Sequence, residues 1–60
     1  MSNIILKIDN YIEELAIIAK EIRASDRELK SKNKRMAHDA VIESAAYLIK
    51  AAILLEEENE

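Results

Sequence analysis

The chain has 60 residues, of which 50% are hydrophobic and 35% are charged, and its formal net charge is −3. It contains no Cys, Gly or Pro, and a single His. This composition excludes disulfides, thiolate metal sites and glycine-rich phosphate loops, and it disfavours tight β-hairpins. We therefore expect an all-α fold with no metal and no cofactor. A core of this size is marginally stable by itself, so we also expect a homo-oligomer.

The N-terminal residues and the longest apolar stretch are the features that bear on localisation. Residues 1–3 carry no positive segment, and no cleavage-type site follows them. Because Glu43 and Lys50 interrupt the longest apolar stretch, it never reaches 18 uncharged residues. We expect a cytoplasmic protein with no membrane contact.

The first predicted helix spans residues 3–24, with Ser2 or Asn3 as its N-cap. Its main apolar positions step by three and four residues, which is the spacing of a heptad seam. Leu6 and Ile17 interrupt the opposite polar face and are candidate partner contacts. Ile4, Tyr11 and Ile18 flank the seam on one side. The predicted oligomer-core residues of this helix are Ile5, Ile8, Ile12, Leu15 and Ile22.

The boundary between the helices has two interpretations. Ser25, followed three residues later by Glu28, fits a capping box that would start a second helix over residues 26–57. The alternative is a break at residues 31–33, with Asn33 in a left-handed C-cap. We favour Ser25, because Asp26 and Glu28 would also suit a helix N-terminus.

The second predicted helix is apolar around most of its circumference between residues 36 and 55. Its charged side chains there, Asp39, Glu43 and Lys50, fall within one narrow strip. Such a helix cannot be covered by one partner helix, so we expect it at the centre of an assembly. Small residues recur every seven positions at Ala37, Ser44 and Ala51. The predicted oligomer-core residues here are Val41, Leu48, Ala52 and Leu55, and the candidate partner contacts are Ile42, Ile49 and Ile53.

The charges are segregated along the chain. Residues 20–35 hold seven basic and three acidic side chains, while residues 56–60 contribute four glutamates and are expected to fray. One interpretation is an anion or nucleic-acid patch, formed by Arg23, Arg27, Lys30 and Lys34 along a helix face. The other is a solvated connection that pairs with the acidic tail of a neighbouring subunit. We favour the second, because no aromatics interleave the cations and the net charge is negative.

No motif indicates catalysis. His38 lies beside Asp39 and near Glu43, but Arg35 stands where a two-metal bundle site would need Glu. We therefore predict that the chain is not an enzyme. It is expected to form an antiparallel helical hairpin that assembles into a four-helix-bundle dimer or a higher oligomer. The predicted function is a small regulatory or inhibitory protein acting through protein contacts, of the kind that phages and mobile elements encode. The alternative is a nucleic-acid-binding module using residues 23–35.

Overall fold

The computed structural model describes residues 2–58 and contains two α-helices. They are α1 (Ser2–Ser25) and α2 (Lys32–Glu58). The turn at residues 26–31 brings the helices side by side, so they run antiparallel and pack against each other. The predicted all-α helical hairpin is confirmed. At 1.5 Å per residue the helices are about 36 and 40 Å long, which accounts for a rod of 45 × 14 × 11 Å.

On each helix, one heptad stripe is covered by the other helix. Along each helix the covered residues of this stripe recur at steps of three and four, and most of the residues between them are exposed. All nine residues predicted as oligomer core lie on it, so within one subunit they form the contact between α1 and α2. The covered positions on the two helices are Ile5, Ile8, Ile12, Leu15, Ala19, Ile22, His38, Val41, Ala45, Leu48, Ala52 and Leu55.

The register between the helices follows from their covered residues. Each covered residue of α1 has a covered residue of α2 whose number completes a sum of 60, so such pairs lie at the same level of the hairpin. Three of the six levels pair a small residue with a larger one: Ala19 with Val41, Leu15 with Ala45, and Ile8 with Ala52. The other three levels pair two large residues: Ile5 with Leu55, Ile12 with Leu48, and Ile22 with His38. The two alanines Ala19 and Ala52 are the most covered apolar residues, with 1% and 9% of their surface exposed.

The predicted capping box at Ser25 is wrong. The Ser25 hydroxyl donates to the carbonyl of Ile22 at 2.7 Å, so Ser25 ends α1 rather than starting α2. The Glu28 carboxylate does not reach back to Ser25 but pairs with Lys30 at 3.2 Å on the surface. Residues 26–31 therefore form the turn, and the second helix begins at Lys32 instead of residue 26.

Ser31 caps α2 instead. Its hydroxyl accepts a hydrogen bond from the Lys34 amide at 3.3 Å, which satisfies one of the free amides of the first helical turn. The left-handed position is Leu29, with φ of 50°, and not Asn33, which lies inside α2. The proposed Asn33 C-cap is therefore wrong as well. In a chain without Gly, a residue with a side chain must adopt this conformation at a cost of about 1–2 kcal/mol.

The C-terminal end of α2 is helical through Glu58, so residues 56–58 belong to the helix. The last turn carries three glutamates and no basic residue, and negative charge is unfavourable at this end of the helix dipole. Fraying of the acidic tail stays a prediction. Residues 59 and 60 lie outside the described residues.

Ser31→Ala should lower the free energy of unfolding by about 0.5–2 kcal/mol, because it removes the N-cap of α2. Ser25→Ala is the matched control, since the Ile22 carbonyl that accepts from the Ser25 hydroxyl is exposed and can accept from water instead. Its effect should be within about 0.5 kcal/mol. Urea denaturation of the three proteins at one concentration gives the ranking. A larger loss for Ser25→Ala than for Ser31→Ala would contradict the observed cap.

Candidate interaction surfaces

Much of the apolar surface lies outside the contact between α1 and α2. Eleven large hydrophobic side chains are 40% exposed or more, from Ile18 at 40% to Tyr47 at 72%. Single exposed apolar residues are normal on a protein surface, whereas a continuous set of them marks an interaction site. The helical periodicity sorts ten of these eleven, all but Met36, into distinct surfaces.

The largest set lies on one face of the hairpin. On α2 a second heptad stripe runs beside the covered one, with steps of three and four residues, and Tyr47 and Leu54 are its large members. At about 100° per residue, the flank of α1 that carries Tyr11 lies on the same face of the antiparallel pair. We call this surface the tyrosine face. It comprises Ala37, Ala40, Ser44, Tyr47, Ala51 and Leu54 on α2, with Ile4, Tyr11 and Ile18 on α1.

The opposite face carries a narrower apolar strip, which we call the isoleucine strip: Ile42, Ile49 and Ile53 on α2, each about half exposed. The adjoining flank of α1 is polar, with Asp9 and Lys20. On this face of the hairpin, only α2 therefore contributes large apolar side chains.

Leu6 and Ile17 lie on the far side of α1, away from α2, at 60% and 52% exposure. The structure therefore does not bring the five candidate partner contacts together. They form two separate surfaces, the isoleucine strip on α2 and this pair on α1. A shallow depression of about 320 Å³ on the outer side of α2 is lined by Glu43, Ala46, Tyr47 and Lys50.

The four residues of the predicted basic patch are gathered at the turn end of the hairpin. Arg23 lies on α1, Arg27 and Lys30 in the turn, and Lys34 on α2. They do not share one face of a continuous helix, because the chain turns between residues 26 and 31. The expectation of a single helical face is wrong for that reason. What the fold produces is a cluster of cations around one end of the rod.

Two basic side chains of α2, Lys34 of the predicted patch and its neighbour Arg35, hold the turn together. Lys34 Nζ donates to the Ser25 carbonyl at 3.4 Å, and Arg35 Nη1 donates to the carbonyls of Leu29 and Lys30 at 3.0 and 3.3 Å. A helix end leaves carbonyls without partners inside the helix, and basic side chains commonly satisfy them. The role of Arg35 was not predicted, because nothing in the sequence shows that its side chain folds back over the turn.

The Asp26 carboxylate is the acidic member of the turn. Its Oδ2 accepts a hydrogen bond from the Ser31 amide at 2.9 Å, and its backbone carbonyl accepts one from the Leu29 amide at 2.9 Å. The Ser31 hydrogen bond lowers the pKa of Asp26 below its ordinary value of 3.8, against a smaller opposing effect of desolvation. The amide of Lys30 and the positive charge of Lys34 lower the pKa further.

His38 links the turn to the covered stripe. Its Nε2 accepts the hydrogen bond from Arg23, which places the proton of the neutral ring on Nδ1. Nδ1 is buried without a hydrogen-bond partner among the described residues, and the nearest carboxylate oxygen, on Asp39, is 3.6 Å away. Within residues 2–58, no three acidic or His side chains cluster closely enough to hold a metal ion.

Comparisons of the chain with protein families, with curated proteins and with solved structures found no match. Neither helix between residues 2 and 58 has an apolar stretch long enough to cross a membrane.

The lowered pKa of Asp26 predicts a pH dependence of stability. The ionised carboxylate stabilises the turn fully above the unfolded pKa, and this contribution is lost as the pH falls from about 4 through the folded pKa. Asp26→Asn has no such titration. The difference in unfolding free energy between wild type and Asp26→Asn should therefore be largest near pH 6 and should shrink below the ordinary value of 3.8. Urea denaturation across this range measures it. A difference that grows on acidification would contradict the proposed turn.

Proposed function

We propose that the chain is a small regulatory or inhibitory protein that acts through protein–protein contacts as a helical homo-oligomer. The observation that carries the proposal is the tyrosine face, a continuous apolar surface that the hairpin leaves uncovered. Two of its members, Tyr11 and Tyr47, are 64% and 72% exposed. A face of this kind on a soluble helical protein is typical of a helix-packing interface.

The total surface of the hairpin supports the same proposal. A folded monomer of 6.8 kDa typically exposes about 4,000 Å², whereas this chain exposes 4892 Å². The excess of roughly 900 Å² is close to the area of about 800 Å² that each partner buries in a standard protein interface. A second copy on one face would therefore bring the exposed surface to that of an ordinary folded protein.

The thin core supports it as well. Among residues 2–58, Ala19 and Ala52 are the only buried hydrophobic residues, and no large side chain is fully buried. The larger aliphatics of the covered stripe are only half buried, because one helix can cover only one side of another. Since fully burying a Leu or Ile contributes about 1.5–3 kcal/mol, a partner that completes their burial would contribute much of the stability of the fold.

A dimer built on the tyrosine face leaves the isoleucine strip exposed on the opposite face. Its members Ile42, Ile49 and Ile53 are spaced seven and four residues apart, which is suited to a helix or groove of a target protein. The regulatory part of the proposal therefore places the target on this strip. Leu6 and Ile17 offer a smaller second contact on the far side of α1.

The homo-oligomer should show a thermal midpoint that rises with protein concentration, because association stabilises the folded state by mass action. Circular dichroism melts between about 5 and 500 µM, together with sedimentation equilibrium, measure this directly. A monomer at micromolar concentration with a constant midpoint would refute the oligomer.

The target contact is tested in the same protein by Ile49→Asp. The matched control is Ala24→Asp, an exposed alanine on the far side of α1. Wild type and Ala24→Asp should capture the same protein from a lysate of the native host. Ile49→Asp should lose that protein and keep the sedimentation coefficient of the wild type. Equal capture by all three would remove the isoleucine strip as the target site.

Nucleic-acid binding is the second candidate function, favoured by the clustering of cations at the turn end. Arg27 and Lys32 are exposed there. They can be replaced without touching the bonds through which Lys34 and Arg35 hold the turn. The double variant Arg27→Gln/Lys32→Gln therefore separates binding from folding.

If the cluster binds duplex DNA, the logarithm of affinity should fall linearly with the logarithm of salt concentration. The slope should be about −0.9 per phosphate neutralised. The double variant should reduce that slope by up to about 2, while Lys7→Gln/Lys50→Gln, with the same charge change at the open end of the hairpin, should leave it unchanged. Fluorescence anisotropy with a mixed-sequence duplex measures both. Wild-type affinity weaker than about 10 µM at 0.15 M salt would remove this candidate.

A further inference from the structure

We propose that the tyrosine face is covered by a second copy of the chain in an antiparallel dimer, with the turn of each hairpin against the open end of the other. The inference rests on the proposed homo-oligomer and specifies its face, symmetry and direction. Charge complementarity and the fit of large to small side chains each lead to this arrangement independently.

The charges of the two ends are opposite. Residues 20–35, at the turn end, hold seven basic and three acidic side chains. The open end, residues 2–9 and 50–58, holds two basic and four acidic ones. In a parallel dimer the two basic ends would lie side by side, about 10 Å apart, which is within about one Debye length at physiological salt. An antiparallel dimer places each basic end beside an acidic end.

The side chains on α2 fit the same direction. A twofold axis that crosses α2 between positions 45 and 46 places each residue opposite the one whose number completes a sum of 91. Tyr47 then lies opposite Ser44 of the second copy, and Leu54 lies opposite Ala37. Each large side chain of the stripe therefore meets a small one, as close helix packing requires.

The side chains on α1 agree with that axis. The covered residues of the two helices pair at numbers that add to 60, so an axis between positions 45 and 46 crosses α1 between positions 14 and 15. Tyr11 then lies opposite Ile18 of the second copy, and Lys7 lies close to its Glu21. One axis therefore pairs apolar with apolar and cation with anion on α1, while it pairs large with small on α2.

In a parallel dimer, α2 would instead face α1 of the second copy at the same level. Tyr47 would then lie against Tyr11 and the acidic Glu14, and Leu54 would lie between Ile4 and Lys7. Two large tyrosines would meet at one level, whereas the antiparallel axis places Tyr47 opposite Ser44. The charges of the ends disfavour the parallel arrangement throughout, and packing disfavours it at the tyrosines.

The direction is tested by distances between spin labels, because the chain has no native Cys. Asn33→Cys and Glu58→Cys place one label at each end of the second stripe. In the antiparallel dimer position 33 lies opposite position 58 of the second copy. Two labels at position 33 should therefore be about 38 Å apart, the length of 25 helical residues. In a parallel dimer they should be within about 20 Å, the diagonal of a four-helix bundle.

Double electron–electron resonance on labelled Asn33→Cys, and on a mixture of the two labelled variants, measures these distances. The expected result is about 38 Å for the first sample and a population under about 20 Å in the second. A distance under 20 Å in the first sample would overturn the antiparallel direction and leave the proposed oligomer standing. A monomer in sedimentation of the same labelled sample would refute the oligomer itself, and a trimer or larger would overturn the twofold arrangement.

The face is tested by Ala40→Glu and Ala16→Glu, two exposed alanines on opposite faces of the hairpin. Ala40 lies on the tyrosine face, and Ala16 lies on the polar flank of α1 that adjoins the isoleucine strip. Ala40→Glu should raise the dimer dissociation constant by about tenfold or more, while Ala16→Glu should leave it within about twofold. If Ile49→Glu weakens the dimer and Ala40→Glu does not, the interface lies on the isoleucine strip and the proposal is wrong. The label distances decide the direction even if Ala40→Glu unfolds the chain.

Discussion

The contact between one heptad stripe of α1 and one of α2 is the constraint on which the rest of the structure depends. Twelve covered positions alternate at steps of three and four residues along both helices. Because alanine faces a larger aliphatic at several levels, the helices can approach closely along their length. Nothing else in residues 2–58 holds the rod together over most of its 45 Å, since the recorded bonds between the helices lie near the turn.

The turn determines how that contact is used. Asp26 and Ser31 close the six-residue connection with hydrogen bonds, Leu29 accepts a left-handed conformation, and basic side chains from α2 reach back to the carbonyls that α1 and the turn leave free. The basic side chains that would bind an anion therefore also stabilise the turn. Their position gives the hairpin a positive end at the turn, opposite a negative open end.

One covered stripe leaves the other sides of both helices exposed, and the two faces that result are different. The tyrosine face has apolar groups on both helices and small residues that permit close approach, which suits self-association. The isoleucine strip is apolar on one helix only, which suits a smaller and reversible contact. The proposed function assigns self-association to the tyrosine face and target binding to the isoleucine strip.

Periodicity and composition alone determined the all-α hairpin, because apolar spacing directly reflects which side of a helix avoids water. The nine residues of the covered stripe were predicted as an oligomer core, and only the structure showed that they join α1 to α2 within one subunit. The end of α1 at Ser25 was also predictable. The start of α2 was not predictable. Ser25 with Glu28 fits a capping box, and Ser31 fits a plain Ser cap equally well. The choice depends on bonds between side chains and backbone groups five and six residues away, the Ser31 amide to Asp26 and Arg35 to the Leu29 carbonyl, that form only after the chain turns. Only the tertiary structure could place the basic residues around one end and divide the exposed apolar residues between two faces, because both follow from the register of two helices rather than from either helix alone.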